Sequence, residues 1–425
     1  MHILSKSTYI KGLQCEKALY LTKKHPYLRD KLSIEQRAKF QRGTDVGILA
    51  HQYFPGGVNM SPNSPSQFPK KVVETMQNLN NPAINVMYEA VFQYNDTLVM
   101  VDLLVRDGEQ WRAIEVKSSL KLSPTYYNDA ALQYYVLHGC GVPLSDFQLM
   151  HLNADYVRQG EIDVKQLFKL VSVLEYAQEQ EPFIASNVER LKNVVALPHA
   201  PQTAVGPHCR DPYPCDFLGH CWKNVPKDDP NTPYTIDYKA LYAQSPNPKP
   251  RNVAYLNPLL YRPAVPEFDG THPYQELMLA FALTGDNEPD GQMVWECFDD
   301  HSRWHEGIEV LEERLVHYDL AVCFTPMDIA SSVMRHDLLQ NQCFGYKVFN
   351  LYEVLQNAQL FHPSIKNNFS LQHTAQALFH DLNLFEHSRI VVEALAQDLI
   401  SYEQSKEDLL IENEVVKRIY QQFFK

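Results

Sequence analysis

The sequence predicts an α/β protein built from two domains, and three observations lead to this prediction. The chain has 425 residues, which is more than a single hydrophobic core normally spans. In both halves, segments with helical periodicity alternate with short apolar runs typical of strands. Residues 224–252 are rich in Pro, Asn and Asp and lack apolar periodicity, which indicates a connector. We therefore expect a first domain over 1–225, a linker over 226–251 and a second domain over 252–425.

Helical patterns open the first half. Residues 6–24 carry an apolar stripe at helical spacing, and Ser33 to about Gln52 predict a second helix. A loop is expected over 55–69 and a short helix near 70–79. Strands are expected at 86–94, 97–105, 111–118 and 146–152, with a helix at 126–138. Because an Asp-Gly turn joins the second and third of these strands, we expect them to form a hairpin in a mixed sheet.

The second half shows a similar alternation of apolar strands and helical segments. Strands are expected at 252–256 and 275–283, and long helical segments at 387–400 and 404–424. This pattern predicts a second α/β domain.

The composition excludes several classes of protein. An apolar content of 45% and a charged content of 21% are ordinary for a globular chain, and they exclude a disordered protein, a collagen-like fibre and a coiled coil. No run approaches the roughly 18 to 20 apolar residues of a membrane helix. The first residues also lack the apolar region of a signal peptide. We therefore expect a cytoplasmic protein with no membrane partner.

The net charge of −13 is distributed unevenly. Residues 1–225 carry 23 Lys and Arg against 22 Asp and Glu, whereas residues 226–425 carry 15 against 29. Within residues 1–45 the count is 10 basic against 4 acidic side chains. A phosphate backbone is attracted by such a basic segment and repelled by the second half. A protein partner therefore suits the acidic second domain better than DNA does.

A group of carboxylates and a lysine lies in the predicted hairpin. Asp102 ends an apolar strand, and Glu115 and Lys117 flank Val116 on the next strand. Because side chains alternate along a strand, Glu115 and Lys117 face the same side, and the hairpin brings Asp102 beside them. Converging carboxylates are ligands for a hard divalent cation, which polarises a phosphoryl oxygen and activates water.

The alternative for a Glu-x-Lys tripeptide is an exposed strand face that carries an ion pair. Three additions favour the metal site. Asp102 lies on the partner strand, Glu115 follows an apolar step, and His51 and Gln133 occur on helices that would flank the sheet.

Three cysteines in a loop rich in Pro, Asp and Gly form a second motif. Cys209, Cys215 and Cys221 have the spacing C-x5-C-x5-C, which suits thiolate ligands better than a core. Cys15 is the candidate fourth ligand, and His208 and His220 are local competitors that would favour zinc. Composition alone leaves both Zn²⁺ and a [4Fe–4S] cluster open.

Asp102 followed by Glu115-Val116-Lys117 resembles the PD-(D/E)XK nuclease core in its RecB-like branch. The resemblance implies Mg²⁺ or Mn²⁺ bound by His51, Asp102, Glu115 and the backbone carbonyl of Val116. It also implies that Lys117 orients water or stabilises developing charge, and that Gln133 helps to position substrate.

Other positions match the RecB-like pattern in part. Glu89 is similar to an accessory acidic position of some members. The family pattern places Tyr where this chain has Leu137, although Tyr134 and Tyr135 lie nearby. A glycine that usually precedes the aspartate is also missing, and both departures affect substrate contacts rather than metal ligands.

The cysteine layout resembles that of RecB-like nucleases of the CRISPR-adaptation type, which have one cysteine before the nuclease core and three after it. This implies a [4Fe–4S] cluster on Cys15, Cys209, Cys215 and Cys221. The first half is also similar to a bacterial family of unknown function that adds a DnaQ-like domain of the RNase H type.

In that comparison the second domain is degenerate. Asn257 and Leu259 stand where an L-D-x-E motif would carry acids, Asn350 replaces a later aspartate, and Lys406 stands near another acidic position. We therefore expect a retained fold without catalysis in the second domain.

The expected function is a Mg²⁺- or Mn²⁺-dependent DNA nuclease, acting on single-stranded DNA or DNA ends by resemblance, in DNA repair or in defence against foreign DNA. The alternative is a non-enzymatic nucleic-acid-binding or assembly subunit, with a structural metal cluster and an acidic partner-binding domain.

Overall fold

The structure is a computed structural model that describes residues 3–32, 34–225, 232–285, 288, 290–325, 347–365, 369–379 and 401–424. The chain divides into two units. The first comprises Met1–Val225 and Ala264–Tyr274, and the second comprises Pro226–Pro263 and Gln275–Lys425. Each unit contains helices and one mixed sheet, so the α/β prediction is confirmed for both halves.

The first unit contains seven strands and the helices that cover them within the described residues. The strands are β1 Leu4–Ser5, β2 Val58–Asn59, β3 Val86–Tyr94, β4 Thr97–Asp107, β5 Gln110–Lys117, β6 Leu144–Leu152 and β7 Phe168–Ser172. The helices are α1 Lys6–Gln14, α2 Glu16–Lys24, α3 Ile34–Ala50, α4 Phe68–Leu79, α5 Pro124–Gly139, α6 Val164–Leu167, α7 Leu174–Ala196 and α8 Leu218–Cys221. Short 3-10 turns occur at Pro26–Leu28, His51–Tyr53, Pro65–Gln67 and Pro207–Cys209.

The sheet of the first unit has the order β2-β3-β4-β5-β6-β7, with β1 added beside β4. Strands β3, β4 and β5 are antiparallel, and β6 runs parallel to β5. The pairing of β4 with β5 extends only from the turn as far as Leu103 and Ile114. Beyond that point β1 pairs with β4, at Thr97 and Leu98. The two hairpin strands therefore diverge into a fork next to Asp102 and Glu115.

A hydrophobic core covers each face of this sheet. On one face Trp111 and Ala113 of β5 belong to a cluster with side chains of α5 and α7. On the other face Ile114 belongs to a cluster that includes Val46 of α3. The alternation of β5 between the two cores is what the strand period requires, and it directs Glu115 and Lys117 towards the α5 side.

The segment Ala264–Tyr274 groups with the first unit, although the sequence analysis includes it in the second domain. Arg158 bonds this segment through backbone and side chain, and Ala264 joins the core on the α3 side. The hydroxyl of Tyr274 donates to the carbonyl of Ser118, the residue directly after Lys117.

Several local expectations differ from the structure. The expected helix over 6–24 is two helices, because Cys15 between them has an extended backbone with φ −160° and ψ 113°. The expected loop over 55–69 contains β2, which pairs with β3. The expected linker contains a short helix, α9 Tyr238–Ala243, whose Leu241 is fully buried in the second core.

The second unit has a five-stranded sheet of order β10-β9-β8-β11-β12. Its strands are β8 Val253–Tyr261, β9 Leu277–Thr284, β10 Gln292–Glu296, β11 Leu320–Cys323 and β12 Lys347–Asn350. Its further helices are α10 Trp304–Leu315, α11 Leu351–Asn357, α12 Leu371–Phe379 and α13 Tyr402–Phe424, with 3-10 turns at His301–Arg303 and Pro363–Ile365. Strands β8, β9 and β10 are antiparallel, and β11 and β12 run parallel to β8. The expected helix at 387–400 lies outside the described residues.

Candidate functional site

The fork between β4 and β5 is occupied by the carboxylate of Asp102. Because the two strands no longer pair at this point, the backbone N–H of Val116 has no strand partner on β4. It donates instead to Oδ2 of Asp102, at 2.6 Å. The bond fixes the aspartate beside Glu115, as the hairpin predicted.

Glu115 is the centre of the site and is 2% exposed. Its Oε1 accepts hydrogen bonds from two ammonium groups, those of Lys6 at 2.6 Å and Lys117 at 2.8 Å. Its Oε2 accepts from Nε2 of Gln133 at 2.6 Å. A buried carboxylate requires this kind of compensation, since its desolvation is otherwise costly.

Lys117 is held by more than one group. Its Nζ donates to Oδ2 of Asp129 at 2.5 Å as well as to Glu115. The ammonium also lies 4.9 Å from the centre of the Tyr126 ring, a cation–π distance. Its position is therefore fixed from three sides.

Glu89 faces Asp102 across a local irregularity in the sheet. The ladder between β3 and β4 pairs Tyr88 with Leu103 and Ala90 with Val101, and it omits the residues between them. Glu89 has φ +54°, the left-handed region that non-glycine residues rarely occupy. Backbone strain of this kind concentrates at functional sites.

The electrostatics of the site separate its carboxylates into two groups. Burial raises the pKa of Glu115, but the charges of Lys117 and Lys6 outweigh it and lower the pKa to about 2. Burial and the charge of Glu115 instead raise the pKa of Asp102 well above its usual value, and they raise that of Glu89. Asp102 and Glu89 are therefore the carboxylates for which a neutralising cation brings the largest gain.

The two lysines remain charged. Burial lowers the pKa of Lys117, but the charges of Glu115 and Asp129 outweigh it and raise the pKa overall. For Lys6, burial is likewise outweighed by Glu115 and Asp102, so its pKa is raised. Neither amine can therefore act as a base near neutral pH.

Two of the residues expected at the site, His51 and Tyr134, stack on neighbouring rings. The imidazole of His51 stacks on the ring of Tyr88, with centroids 4.0 Å apart and planes 4° from parallel. Tyr88 belongs to the core on the α3 side, and within the described chain no hydrogen bond joins His51 to Asp102 or Glu115. Burial lowers the pKa of His51, which leaves the ring neutral. Tyr134 is buried and stacks on His138.

The structure adds Lys6 and Asp129 to the residues that the sequence identified. Asp129 precedes Gln133 by four residues on α5, and this spacing places both on one face of a helix. That signal could have identified Asp129. Lys6 gives no comparable signal, because its position depends on β1 pairing with the distant strand β4.

The four cysteines of the second motif surround one small cavity of about 20 Å³. Cys15, Cys215 and Cys221 pack with Phe217, and Cys209 lines the same cavity. None of the four is in a disulfide. Burial raises the pKa of the thiols of Cys215 and Cys221, and the neighbouring cysteines raise it further. In such a group a bound cation would stabilise the thiolate forms.

Two features of the residues at the fork suit a hard cation: their donor atoms are carboxylate oxygens, and one buried polar atom has no hydrogen-bond partner in the described chain. Carboxylate oxygens are the preferred donors for such a cation, and Oε1 of Gln133 is buried with no hydrogen-bond partner in the described chain. In the geometry present, the ammonium groups of Lys6 and Lys117 are the cations beside Glu115. Across the residues that the structure describes, no three His, Cys, Asp or Glu side chains are arranged to hold one metal ion.

Asn257 and Asn350 of the second unit donate hydrogen bonds that an ionised carboxylate at the same position could not donate. Asn257 donates to the carbonyl of Leu409 and to Oε2 of Glu412, at 3.3 and 2.9 Å. Asn350 donates to the carbonyl of Thr325 at 2.9 Å and accepts from the N–H of the same residue. An ionised carboxylate has no proton to donate.

Leu259 and Lys406, the other two positions that the resemblance singles out, take part in sheet pairing and in an ion pair. Leu259 pairs with Ala280 of β9. Lys406 pairs with Glu296, at 3.3 Å.

A scan against models of protein families finds no match for the chain, and a search of curated proteins finds no relative by sequence. Among the described helices, none has both the length and the apolar character that crossing a membrane demands.

Proposed function

We propose that the first unit is a divalent-metal-dependent nuclease that hydrolyses phosphodiester bonds of DNA. The observation that carries the proposal is the convergence of Asp102, Glu115 and Lys117 at the fork between β4 and β5. The resemblance to the RecB-like PD-(D/E)XK core supports it.

Asp102 and Glu115 would hold the metal, with the carbonyl of Val116 and, by resemblance, His51. When bound, the divalent cation supplies Lewis-acid chemistry that polarises a phosphoryl oxygen and lowers the pKa of a water. Lys117 serves as a fixed positive charge rather than as a base, because Glu115 and Asp129 keep it protonated. It can therefore orient water and stabilise the negative charge that develops on the phosphoryl group.

The surroundings of the fork suit a polyanion. Helix α3 exposes Arg37, Lys39 and Phe40 to solvent, and basic and aromatic side chains together suit nucleic-acid strands. A Cβ atom on Gly43 of this helix would lie 3.9 Å from Oγ of Ser118. Helix α3 therefore passes close to the residue that follows Lys117. Resemblance alone makes single-stranded DNA or DNA ends the expected substrate.

The test is cleavage of end-labelled single-stranded and duplex DNA by the full-length protein with Mg²⁺ or Mn²⁺. Lys117→Ala is expected to abolish cleavage. The matched control is Lys121→Ala, which removes an exposed lysine four residues away and is expected to leave cleavage intact. A folded wild-type protein that cleaves neither DNA nor RNA would overturn the proposal and favour the non-enzymatic binding subunit.

We also propose that Cys15, Cys209, Cys215 and Cys221 hold a metal centre that stabilises the first unit. Their shared cavity supports a common ligand, and the resemblance favours a [4Fe–4S] cluster over zinc. Anaerobically purified protein should contain iron and sulfide in equal amounts and absorb visible light. Cys15→Ser should lose the metal, whereas Cys140→Ser should keep it, since Cys140 contacts the carbonyl of Gln93 instead. Protein that contains zinc and no iron would show that the four cysteines hold zinc instead of a cluster.

We infer that the second unit has a degenerate DnaQ-like fold and no catalytic role. Its strand order agrees with an RNase H-type sheet, and the bonds donated by Asn257 and Asn350 support a structural use of these positions. Full-length Lys117→Ala protein should therefore show no residual metal-dependent cleavage. The acidic character of residues 226–425 suits a protein partner, which a pull-down with wild-type and charge-neutralised protein can test.

A further inference from the structure

Lys6 enters the site from a part of the chain far from the hairpin. It is the first residue of α1 and directly follows β1. Strand β1 pairs with Thr97 and Leu98 of β4, where β5 has already diverged. Leu4 is completely buried in the core. The fold thus anchors the backbone of Lys6 and lets its side chain reach into the fork.

The hydrogen bonds of Glu115 leave no room for a metal ion at its oxygen Oε1. Each carboxylate oxygen can accept about two hydrogen bonds. Oε1 already accepts from Lys6 and Lys117, and Oε2 accepts from Gln133. A cation that binds Glu115 through Oε1 must therefore displace one of the two ammonium groups.

Lys6 is the ammonium that can leave. Lys117 keeps a second carboxylate partner in Asp129, at 2.5 Å, whereas Glu115 is the only hydrogen-bond partner of the Lys6 ammonium in the described chain. The side chain of Lys6 is 29% exposed, and that of Lys117 is 13% exposed. Lys6 therefore has both the weaker anchoring and the easier path to solvent.

The charge count permits the same exchange. When ionised, Glu89, Asp102, Glu115 and Asp129 carry −4, and Lys117 alone carries +1 once Lys6 has left, which gives −3. One divalent cation reduces this charge to −1. A phosphate that approaches the metal then offers the displaced ammonium a new anionic partner.

We propose that the ammonium of Lys6 occupies the cation position beside Glu115 in the resting protein, and that an incoming divalent metal displaces it onto a phosphate of the substrate. This inference rests on the proposed nuclease function. It makes Lys6 both a competitor of the metal and a substrate contact.

The experiment is Mn²⁺ titration of the full-length protein by calorimetry, with the site defined as the binding that Asp102→Asn removes. Lys6→Met should raise the Mn²⁺ affinity by on the order of tenfold, because the resting competitor is gone. Lys117→Met removes the same charge from the same oxygen, and it should raise the affinity less. Lys11→Met removes an ion-paired lysine of the same helix, whose partner is Asp216, and it should change the affinity by less than about twofold.

Substrate affinity should change in the opposite direction. In Lys6→Met the KM for DNA should rise, and the slope of log affinity against log salt should fall by about 1, as expected for one lost phosphate contact. Lys6→Arg retains the charge, so its KM for DNA and its salt dependence should stay close to those of wild type. A merely structural ion pair would instead lower thermal stability and leave the Mn²⁺ affinity unchanged or lower.

The outcomes separate the two proposals. Cleavage by wild type together with unchanged or weaker Mn²⁺ binding in Lys6→Met overturns the role of Lys6 and leaves the nuclease intact. If Mn²⁺ binds in no variant and wild type does not cleave, the nuclease proposal is overturned and the role of Lys6 with it.

Discussion

Two isosteric substitutions, Asp102→Asn and Glu115→Gln, should shift the stability of the metal-free protein in opposite directions. Glu115 is a buried acceptor for two ammonium groups, which lower its pKa from 4.5 to about 2. Asp102 is a carboxylate whose pKa is raised by burial and by Glu115. Near neutral pH the negative charge of Glu115 is therefore stabilising, and that of Asp102 is destabilising.

The magnitude for Glu115 follows from its pKa. A fall from 4.5 to about 2, at about 1.4 kcal/mol for each pH unit, gives on the order of 3 kcal/mol. Loss of one partner from a buried ion pair typically costs about 3 to 5 kcal/mol, and the value obtained from the pKa of Glu115 lies at the lower end of this range. In a unit of this size, about 2 to 4 °C accompanies each kcal/mol, so the Tm of Glu115→Gln should fall by roughly 6 to 12 °C. Asp102→Asn should raise the Tm, since the amide still accepts from Val116.

The two contributions to stability change with pH in opposite directions. The stability due to the charge of Glu115 is fully present above pH 4.5, the ordinary pKa of a glutamate. It is lost as the pH falls through about 2, the pKa of Glu115 in the folded protein. The destabilisation due to Asp102 is absent below its ordinary value of 3.8 and grows as the pH rises through its raised pKa. The gain from Asp102→Asn should therefore be large at pH 8 and disappear in acid.

Thermal unfolding in EDTA, followed at pH 5 and pH 8, measures both effects. Glu109→Gln in the exposed hairpin turn is the matched control and should change stability by less than about 0.5 kcal/mol. If both Asp102→Asn and Glu115→Gln lowered the Tm equally at pH 8, the electrostatic account of the site would be refuted.

Three further substitutions test other features of the two units. Gly57→Ala should lower stability by about 1 to 3 kcal/mol in thermal unfolding, because the new Cβ would lie 2.4 Å from the ring of Tyr88. Asn350→Asp should destabilise the second unit by about 1 to 3 kcal/mol, since the bond donated to Thr325 is lost, and it should not create metal-dependent cleavage. Glu89→Gly should relieve the strain of φ +54° and remove a partly buried carboxylate whose pKa is raised, so that the Tm of metal-free protein rises by a few degrees while nuclease activity falls.

Local sequence patterns predicted strands β3, β4, β5 and β6 of the first unit, but they did not reveal the short strands β1, β2 and β7. The expected strand at 86–94 matches Val86–Tyr94, and the one at 111–118 differs from Gln110–Lys117 by one residue at each end. Alternation and an Asp-Gly turn are short-range signals, so a sequence displays them directly. The same alternation correctly placed Glu115 and Lys117 on one face.

Non-local pairing explains what the sequence did not predict. The fork at Asp102 exists because β1 replaces β5 beside β4, a pairing between residues more than ninety positions apart in the printed sequence. Lys6 reaches Glu115 only through this arrangement. The break of the first helix at Cys15 was also missed, because the residues on both sides continue a helical stripe. Periodicity alone does not reveal a single extended residue.

The two units treat acidic positions in opposite ways, and the contrast bears on function. In the first unit the chain keeps features that oppose its own stability. Asp102 has a raised pKa, Glu89 has a left-handed backbone, and an oxygen of Gln133 has no partner in the described chain. In the second unit Asn257 and Asn350 donate hydrogen bonds within their own fold. Destabilising features that persist together at one site are better explained by a ligand than by folding. A divalent cation at the fork would neutralise Asp102 and give the unpaired oxygen of Gln133 a partner, so that one ligand would account for two of these three features.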